Sequence, residues 1–210
     1  MSGTPATARV QDCTGALVAG GRAARLGGIA KGLLLSQGEP IAARTARLFK
    51  ELFDGALVIT GPGSPYAALG LPVVPDVFPG KGAPGGVHAA LRACRTGWIF
   101  AAGCDMPFVD PAAIRWLAAR RDGSDAVLVE WRGQLQPLFA FWSRRCLAPL
   151  ERMLAEGDPS LRALVERVEA RVVPEEAWRA LDPHGRCFEN VNTASDVARL
   201  GLAGLDAIAD

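Results

Sequence analysis

Glycines and basic side chains follow the first apolar run of the chain at a spacing suited to phosphate binding. Residues 15–19 are predicted as a short buried strand, and Gly20, Gly21, Arg25 and Lys31 come after it. Glycines leave backbone N–H groups unobstructed, and cations neutralise phosphate charge, so the loop predicts a polyphosphate site. The alternative is a solvated glycine-rich turn. The spacing excludes both a Walker A loop and the dinucleotide fingerprint G-x-G-x-x-G.

An acidic residue stands at the end of a second apolar run. Residues 98–102 are apolar, and Asp105 follows them, just before Pro107. A carboxylate at the carboxyl end of a strand, one strand from a phosphate loop, can hold a divalent cation. We therefore interpret Asp105 as a metal ligand, in preference to a residue that only forms a turn.

Three further segments carry polar groups beside apolar strands. The segment 73–86 is rich in glycine and proline, which predicts a long loop without helix, leading into a helix N-terminus that can accept an anion. Gln136 and Pro137 open another apolar run, where a proline is unusual for packing alone. Asn190 and Asn192 alternate around Val191, so they are expected to share one face; helix capping is the alternative explanation for Asn192.

The elements that position these residues alternate between strand and helix. Helices are predicted over 40–53, 86–95, 111–121, 144–156 and 160–169, with a last one capped near Thr193; strands are predicted over 15–19, 56–60, 72–74, 98–102, 126–130, 136–142 and 171–173. This alternation predicts an α/β, Rossmann-like three-layer fold with a mostly parallel sheet. We expect residues 1–12 to form a flexible leader. We expect residues 13–210 to form a single domain, with a nucleotide-binding half (13–125) and an acceptor-substrate half (126–210).

Composition narrows the functional class. The 210 residues carry a formal charge of +1 without a basic stripe, so a nucleic-acid partner is not expected. No apolar run is long enough to span a membrane, and residues 1–12 lack the apolar region of a signal peptide. The five cysteines include no C-x-x-C pair, which predicts reduced, buried thiols and a cytoplasmic protein.

The string L-x-A-G-G-x-x-x-R-L-G-G-x-x-K at residues 17–31 resembles the signature of the molybdenum cofactor guanylyltransferase family. Four further strings follow in the family's order: the P-D and glycine-rich segment 75–86, C-D-M-P-F at 104–108, Q-P-L-F-A-F-W at 136–142, and F-E-N-V-N-T at 188–193. The sequence departs from the family's pattern at Leu26, at Ala30 and in the segment 83–86. Gly61 also departs from it, since relatives often have Asn at about this position. The resemblance implies a fold of the nucleotide-diphospho-sugar transferase type.

The resemblance also implies the reaction, which is the Mg²⁺-dependent transfer of GMP from GTP to the phosphate of molybdopterin, with release of pyrophosphate. Its partners would be these two small-molecule substrates, together with molybdoenzymes or their chaperones. Carried over position by position, Lys31, Arg25 and Asp105 are catalytic, and Asp105 is the metal ligand. The nucleotide would contact Val18, Ala19, Gly20, Gly21, Lys31, Asp76, Gly85, Gly86 and Asp105. The acceptor would contact Gln136, Pro137, Asn190 and Asn192.

Two alternatives stay open. One is cytidylyl, or another nucleotidyl, transfer to a related phosphomonoester; the Gly20-Gly21 pair favours GTP because cytidylyl relatives tend to carry Ala-Gly there. The other is a catalytically inactive nucleotide-binding regulatory module, and the presence of both Lys31 and Asp105 argues against it.

Overall fold

The structure is a computed structural model that describes residues 8–19, 25–26, 29–61, 63–157 and 159–204; the side chains of Arg25 and Ile29 are not among the described groups. Gly20 and Gly21, which the sequence places in the phosphate loop, lie outside the described residues. Their predicted role stays a prediction.

A central twisted sheet organises the chain. Its strands are β1 (Val10–Val18), β6 (Phe53–Ile59), β7 (Val73–Val74), β8 (Trp98–Gly103), β9 (Ala126–Trp131), β10 (Gln134–Leu135), β11 (Phe139–Ser143) and β12 (Ala170–Val173). They lie in the order β10-β9-β11-β8-β1-β6-β7, with β12 beside β9. β1 is parallel to both β6 and β8, while β11 runs antiparallel between β8 and β9. Two small hairpins form separate two-stranded sheets: β2–β3 (Arg25–Leu26, Ile29–Ala30) and β4–β5 (Leu35–Ser36, Glu39–Pro40).

Helices cover both faces of the sheet, as the continuous apolar strands predict. They are α1 (Ile41–Leu52), α2 (Gly82–Ala93), α3 (Pro111–Ala118), α4 (Leu147–Glu156), α5 (Leu161–Val165), α6 (Glu175–Arg179) and α7 (Ala194–Arg199). On one face, Phe49 of α1 packs edge-on against Phe53 and Phe100, with ring centroids 5.3 and 5.9 Å away. On the other, Ile99 and Trp142 join a cluster with α2 and α4. Alternate residues of β8 therefore enter opposite cores.

Two predicted boundaries are wrong for identifiable reasons. β1 begins at Val10, which pairs with Phe53, so residues 10–12 belong to the sheet and not to a leader. A register shift between Val10 and Thr14, with Asp12 at a φ of 52°, interrupts the apolar pattern that would have marked this strand. The predicted strand over 136–142 begins only at Phe139, because residues 136–138 form a turn between β10 and β11.

The helix after the glycine-rich loop begins earlier than predicted. α2 starts at Gly82, so Gly85 and Gly86 lie inside a helix and not in the loop. Pro84 is compatible with this position because N–H groups in the first helical turn have no partner within the helix. No helix was predicted where α6 lies. The Asp110 carboxylate caps α3 by accepting from the N–H groups of Ala112 and Ala113.

The five cysteines are free and buried, as predicted. Among the helices of the described residues, none combines the length and the apolar character needed to cross a bilayer.

Candidate active site

The carboxyl ends of β1 and β8 meet at one edge of the sheet. Val18 pairs with Gly103 across the two strands, and the N–H of Cys104 donates to the carbonyl of Val18 at 3.0 Å. On the other side of β1, the N–H of Ala19 donates to the carbonyl of Ile59 at 2.9 Å. The loop that follows Ala19 therefore begins beside the turn that carries Asp105, and ligands of parallel α/β sheets bind at such strand ends.

Lys31 is buried at this edge, with 3% of its surface exposed. Its Nζ donates a hydrogen bond of 2.8 Å to Oδ1 of Asn192 and lies 3.9 Å from Oδ2 of Asp105. A buried ammonium is stable only when it is paired, and these two contacts provide the pairing. Three residues predicted from three separate motifs thus come together.

Asp105 is partly buried, and two opposing effects act on the pKa of its carboxyl group. Burial raises the pKa of its carboxyl above the usual value, and the Lys31 ammonium acts in the opposite direction. The carboxylate rests against Gly103, where a Cβ atom would come within 2.6 Å of Oδ1. Gly103 is therefore needed so that the carboxylate can lie over the end of β8.

Gly32 and Tyr66 fix the backbone that carries Lys31, and sequence reasoning missed both. The N–H of Gly32 donates to the Tyr66 hydroxyl at 3.1 Å. A side chain at Gly32 would meet the Tyr66 ring at 2.8 Å and the carbonyl of Cys104 at 3.0 Å. Burial of the Tyr66 phenol raises its pKa, so it stays a neutral donor and acceptor. The short distance from Lys31 to the β8 turn depends on this glycine.

Asn192 is held by the cap of the helix that follows it. The N–H of Val191 donates to the carbonyl of Asp105 at 3.0 Å. The Asp196 carboxylate accepts from the N–H groups of Asn192 and Thr193, and Thr193 caps α7. The Arg199 guanidinium and these N–H groups hold the pKa of Asp196 well below its usual range. Because Thr193 caps α7, the Asn192 side chain is free to bind Lys31. Helix capping is therefore not the role of the Asn192 side chain.

Two pairs of the predicted nucleotide-binding residues, Asp76 with Gly85 and Val18 with Gly86, are in close contact. A Cβ atom at Gly85 would lie 2.8 Å from both carboxylate oxygens of Asp76, and one at Gly86 would lie 2.7 Å from a methyl of Val18. The Asp76 carboxylate also accepts from the N–H of Phe78 at 2.8 Å. The two glycines therefore let α2 approach β1 and the Asp76 loop closely.

His88 is fully buried on α2. Its Nε2 lies 3.1 Å from Oε1 of Glu151 on α4, and its ring meets Phe78 edge-on at 4.9 Å. Its position behind Phe78 supports the loop that begins at Asp76.

Gln136 and Asn190 line one open cavity of about 270 Å³. The backbone N–H of Gln136 donates to the carbonyl of Val129 at 2.9 Å, and this hydrogen bond fixes the turn before β11. Pro137 is not among the residues that line this cavity; its carbonyl accepts from the indole N–H of Trp142 at 3.2 Å. The remaining lining residues were not predicted from the sequence: Trp131, Arg132, Gln134, His184, Gly185, Phe188 and Glu189.

The side chains at the site suit a metal ion that takes most of its ligands from a bound substrate and from water. Within the described ranges, no cluster of three or more His, Cys, Asp or Glu side chains is arranged to hold a metal ion. Asp105 supplies a single carboxylate. Mg²⁺ is commonly held by one or two carboxylates, with phosphates and water completing its shell, so the site fits that ion together with a bound nucleotide.

Comparisons with known proteins agree with this geometry. The family model for the MobA-like NTP transferase domain matches residues 15–172. A probable molybdenum cofactor guanylyltransferase of Pelotomaculum thermopropionicum is 35% identical over 186 residues, covering 89% of this chain and 90% of the relative. The molybdopterin-guanine dinucleotide biosynthesis protein A of Archaeoglobus fulgidus has a crystal structure with a TM-score of 0.73 and 26% identity, covering 89% of this chain and 96% of that one. A Mycobacterium tuberculosis protein crystallised with manganese shares the fold, with a TM-score of 0.66 and 22% identity over 90% of this chain and 97% of its own.

Proposed function

This chain belongs to the MobA-like NTP transferase family, and from that premise we propose that it transfers GMP from GTP to the phosphate of molybdopterin, releasing pyrophosphate. Its relatives in Pelotomaculum thermopropionicum and Desulfosudis oleivorans are named for molybdenum cofactor guanylyltransfer. The observation that carries the proposal is the convergence of Lys31, Asp105 and Asn192 at the ends of β1 and β8.

The proposed reaction makes modest chemical demands. An oxygen of the acceptor phosphate attacks the α-phosphorus of GTP, a new P–O bond forms, and the bond to pyrophosphate breaks. The acceptor phosphate is already ionised near neutral pH, so a strong general base is not required. Catalysis then depends on holding the two phosphates in line and on neutralising the charge of the leaving group.

Lys31 is the residue suited to that neutralisation. Its buried ammonium already faces a carboxylate and an amide oxygen, so an incoming phosphate meets a fixed cation in a partly desolvated site. Arg25 and the amides of Gly20 and Gly21 are proposed as further phosphate ligands. Asp105 would hold a divalent cation, which when bound supplies charge neutralisation to the phosphates.

The rest of the binding surface divides by position. Val18, Asp76, Gly85 and Gly86 pack against one another beside the end of β1, and we assign this region to the nucleoside of GTP. The turn at Gln136–Pro137 and the segment with Asn190 and Asn192 are assigned to the acceptor. On this assignment we propose a nucleotide-binding half (13–125) and an acceptor half (126–210).

The cellular setting follows from the proposed reaction. GTP and the pterin are cytoplasmic substrates, and the five free thiols suit a reducing compartment, so we place the enzyme in the cytoplasm. We propose molybdoenzymes or their chaperones as the macromolecular partners that receive the product.

The test measures pyrophosphate release with each of the four NTPs, with and without molybdopterin, in Mg²⁺ and in Mn²⁺. We expect release only with GTP, acceptor and metal together. GTP with Mg²⁺ should also raise the melting temperature more than the other NTPs, since a ligand at about 100 times its Kd stabilises the native state by about 2.7 kcal/mol. A preference for CTP would replace guanylyl with cytidylyl transfer. GTP binding without turnover would favour the regulatory module.

A further inference from the structure

A histidine buried between two helices stands behind the loop that begins at Asp76 (residues 76–81, the Asp76 loop). His88 on α2 is completely buried, and its Nε2 atom donates to the Glu151 carboxylate of α4 at 3.1 Å. Its ring meets the ring of Phe78 edge-on, with the two centroids 4.9 Å apart. We propose that His88, anchored by Glu151, is a positioning residue that holds the Asp76 loop where the nucleoside of GTP binds. This inference rests on the proposed function.

A histidine is unfavourable at this position for packing alone. In the part of the chain that the structure describes, the Nδ1 atom of His88 is buried and has no hydrogen-bond partner. A leucine or a phenylalanine would fill the core without burying an unpaired polar atom, which costs stability. The histidine adds a planar ring with a donor at Nε2, so that one hydrogen bond to α4 fixes the rotation of the ring. The orientation of the ring is therefore specified in addition to its volume.

Phe78 links the oriented ring of His88 to the carboxylate of Asp76. The N–H of Phe78 donates to Oδ1 of Asp76 at 2.8 Å, and among the described residues it is the one hydrogen-bond donor to that carboxylate. Phe78 is only partly buried, and its edge-on contact with the imidazole, at an interplanar angle of 78°, restricts its movement. A shift of Phe78 would therefore move the carboxylate that we assign to the nucleoside of GTP.

The other end of the Asp76 loop is bonded to the chain directly after α4. Lys81 precedes α2, and its Nζ donates to the carbonyl of Gly157 at 2.6 Å. The N–H of Lys81 also donates to the carbonyl of Phe78 at 3.1 Å, which closes the loop as a turn. Residues 76–81 form neither helix nor strand, so their position depends on such contacts. A helix of the proposed acceptor half thus supports the proposed nucleoside site.

The Asp76 loop should act on one part of GTP. The phosphates are assigned to Lys31, whose ammonium is held by Asn192 and Asp105 and not by α4. Loosening of the Asp76 loop should therefore weaken the binding of GTP and leave the binding of tripolyphosphate, which has no nucleoside, unchanged. A general loss of stability would weaken the binding of both ligands. The contrast between the two ligands separates positioning of the nucleoside site from a purely structural role.

The experiment compares Glu151→Leu, Glu151→Gln and Phe78→Leu with the control Glu166→Leu. The Glu151 side chain is 45% exposed, so its replacement leaves the core in place, and Glu166 is an exposed glutamate at the end of α5, near Arg162. The Kd of GTP and that of tripolyphosphate are measured by calorimetry with Mg²⁺, below the melting temperature of every variant.

Glu151→Leu and Phe78→Leu should each raise the Kd of GTP by about three- to tenfold, as expected for the loss of one aromatic pair. Neither should change the Kd of tripolyphosphate. Glu151→Gln, whose amide oxygen can still accept from Nε2 of His88, and the control Glu166→Leu should both bind GTP like the wild type.

A double variant tests the route through the histidine. If Glu151 acts through Phe78, then Glu151→Leu should have no further effect on GTP binding in the Phe78→Leu protein. Equal GTP affinity of Glu151→Leu and the wild type, a matching loss of tripolyphosphate affinity, or additive effects in the double variant would each overturn the inference. Guanylyl transfer is assayed separately: a wild type that binds GTP without transferring GMP would refute the proposed function, and the comparison of GTP affinities would still decide the role of His88.

Discussion

Replacement of Lys31 by Met tests the core of the site. Met keeps much of the apolar stem of the side chain and removes the ammonium that faces Asn192 and Asp105. The substitution therefore deletes a charge without opening a large cavity. A matched control is Lys50→Met, because Lys50 lies at the exposed end of α1 and its Nζ donates to the carbonyl of Leu69.

The size of the effect follows from the geometry. Two unit charges separated by the 3.9 Å between Nζ and Oδ2 of Asp105 interact by about 4 kcal/mol at an effective dielectric constant of about 20. A phosphate oxygen at a similar distance would gain a comparable interaction, less the cost of its desolvation. Loss of one such stabilising group elsewhere costs about 2.7–4 kcal/mol of the barrier, so kcat/KM should fall by about 10²- to 10³-fold.

The variant should also change the pH profile. Burial raises the pKa of Asp105, and Lys31 counteracts that effect, so its removal should raise the pKa further. If metal binding needs the carboxylate, activity is lost as pH falls through that pKa, and the acid limb of the variant should lie at higher pH. The assay is pyrophosphate release from pH 4 to 9, with GTP and acceptor varied separately. A kcat/KM within threefold of the wild type, or an unmoved acid limb, would refute this account of Lys31.

Three further substitutions test individual contacts. Asp105→Asn should abolish turnover while leaving the fold intact, because it removes the carboxylate proposed to hold the metal and Asn192 still accepts from the buried Lys31 ammonium. Pyrophosphate release near the wild-type rate would contradict the metal assignment. Tyr66→Phe removes the acceptor of the buried Gly32 N–H and should cost about 1–3 kcal/mol in urea unfolding. Gly185→Ala, at a φ of 66° against the Trp131 ring, should cost at least about 2 kcal/mol, and unchanged unfolding would dispute the contact.

The class of the fold and most of the chemical groups of the site can be predicted from local sequence patterns. Apolar runs without alternation predict strands buried on both faces, and β8 does place neighbouring residues in two separate cores. Local chemistry also predicts the Asp110 cap, since capping involves residues only two or three positions apart. Prediction was weakest where local signals conflict, as at the start of β1, where a polar bulge interrupts the strand, and at Gly82–Gly86, where glycine and proline occupy a first helical turn.

Which of these residues share a site depends on contacts between distant parts of the chain. Lys31 and Asn192 are separated by 161 positions, and only the parallel pairing of β1 with β8 and the docking of residue 191 on Asp105 bring them within 2.8 Å. Gly32, Tyr66, His88 and Glu151 carry no distinctive local pattern. Their significance arises from hydrogen bonds to distant parts of the chain. Periodicity and capping report interactions between near neighbours, whereas such distant contacts depend on the register of the whole sheet.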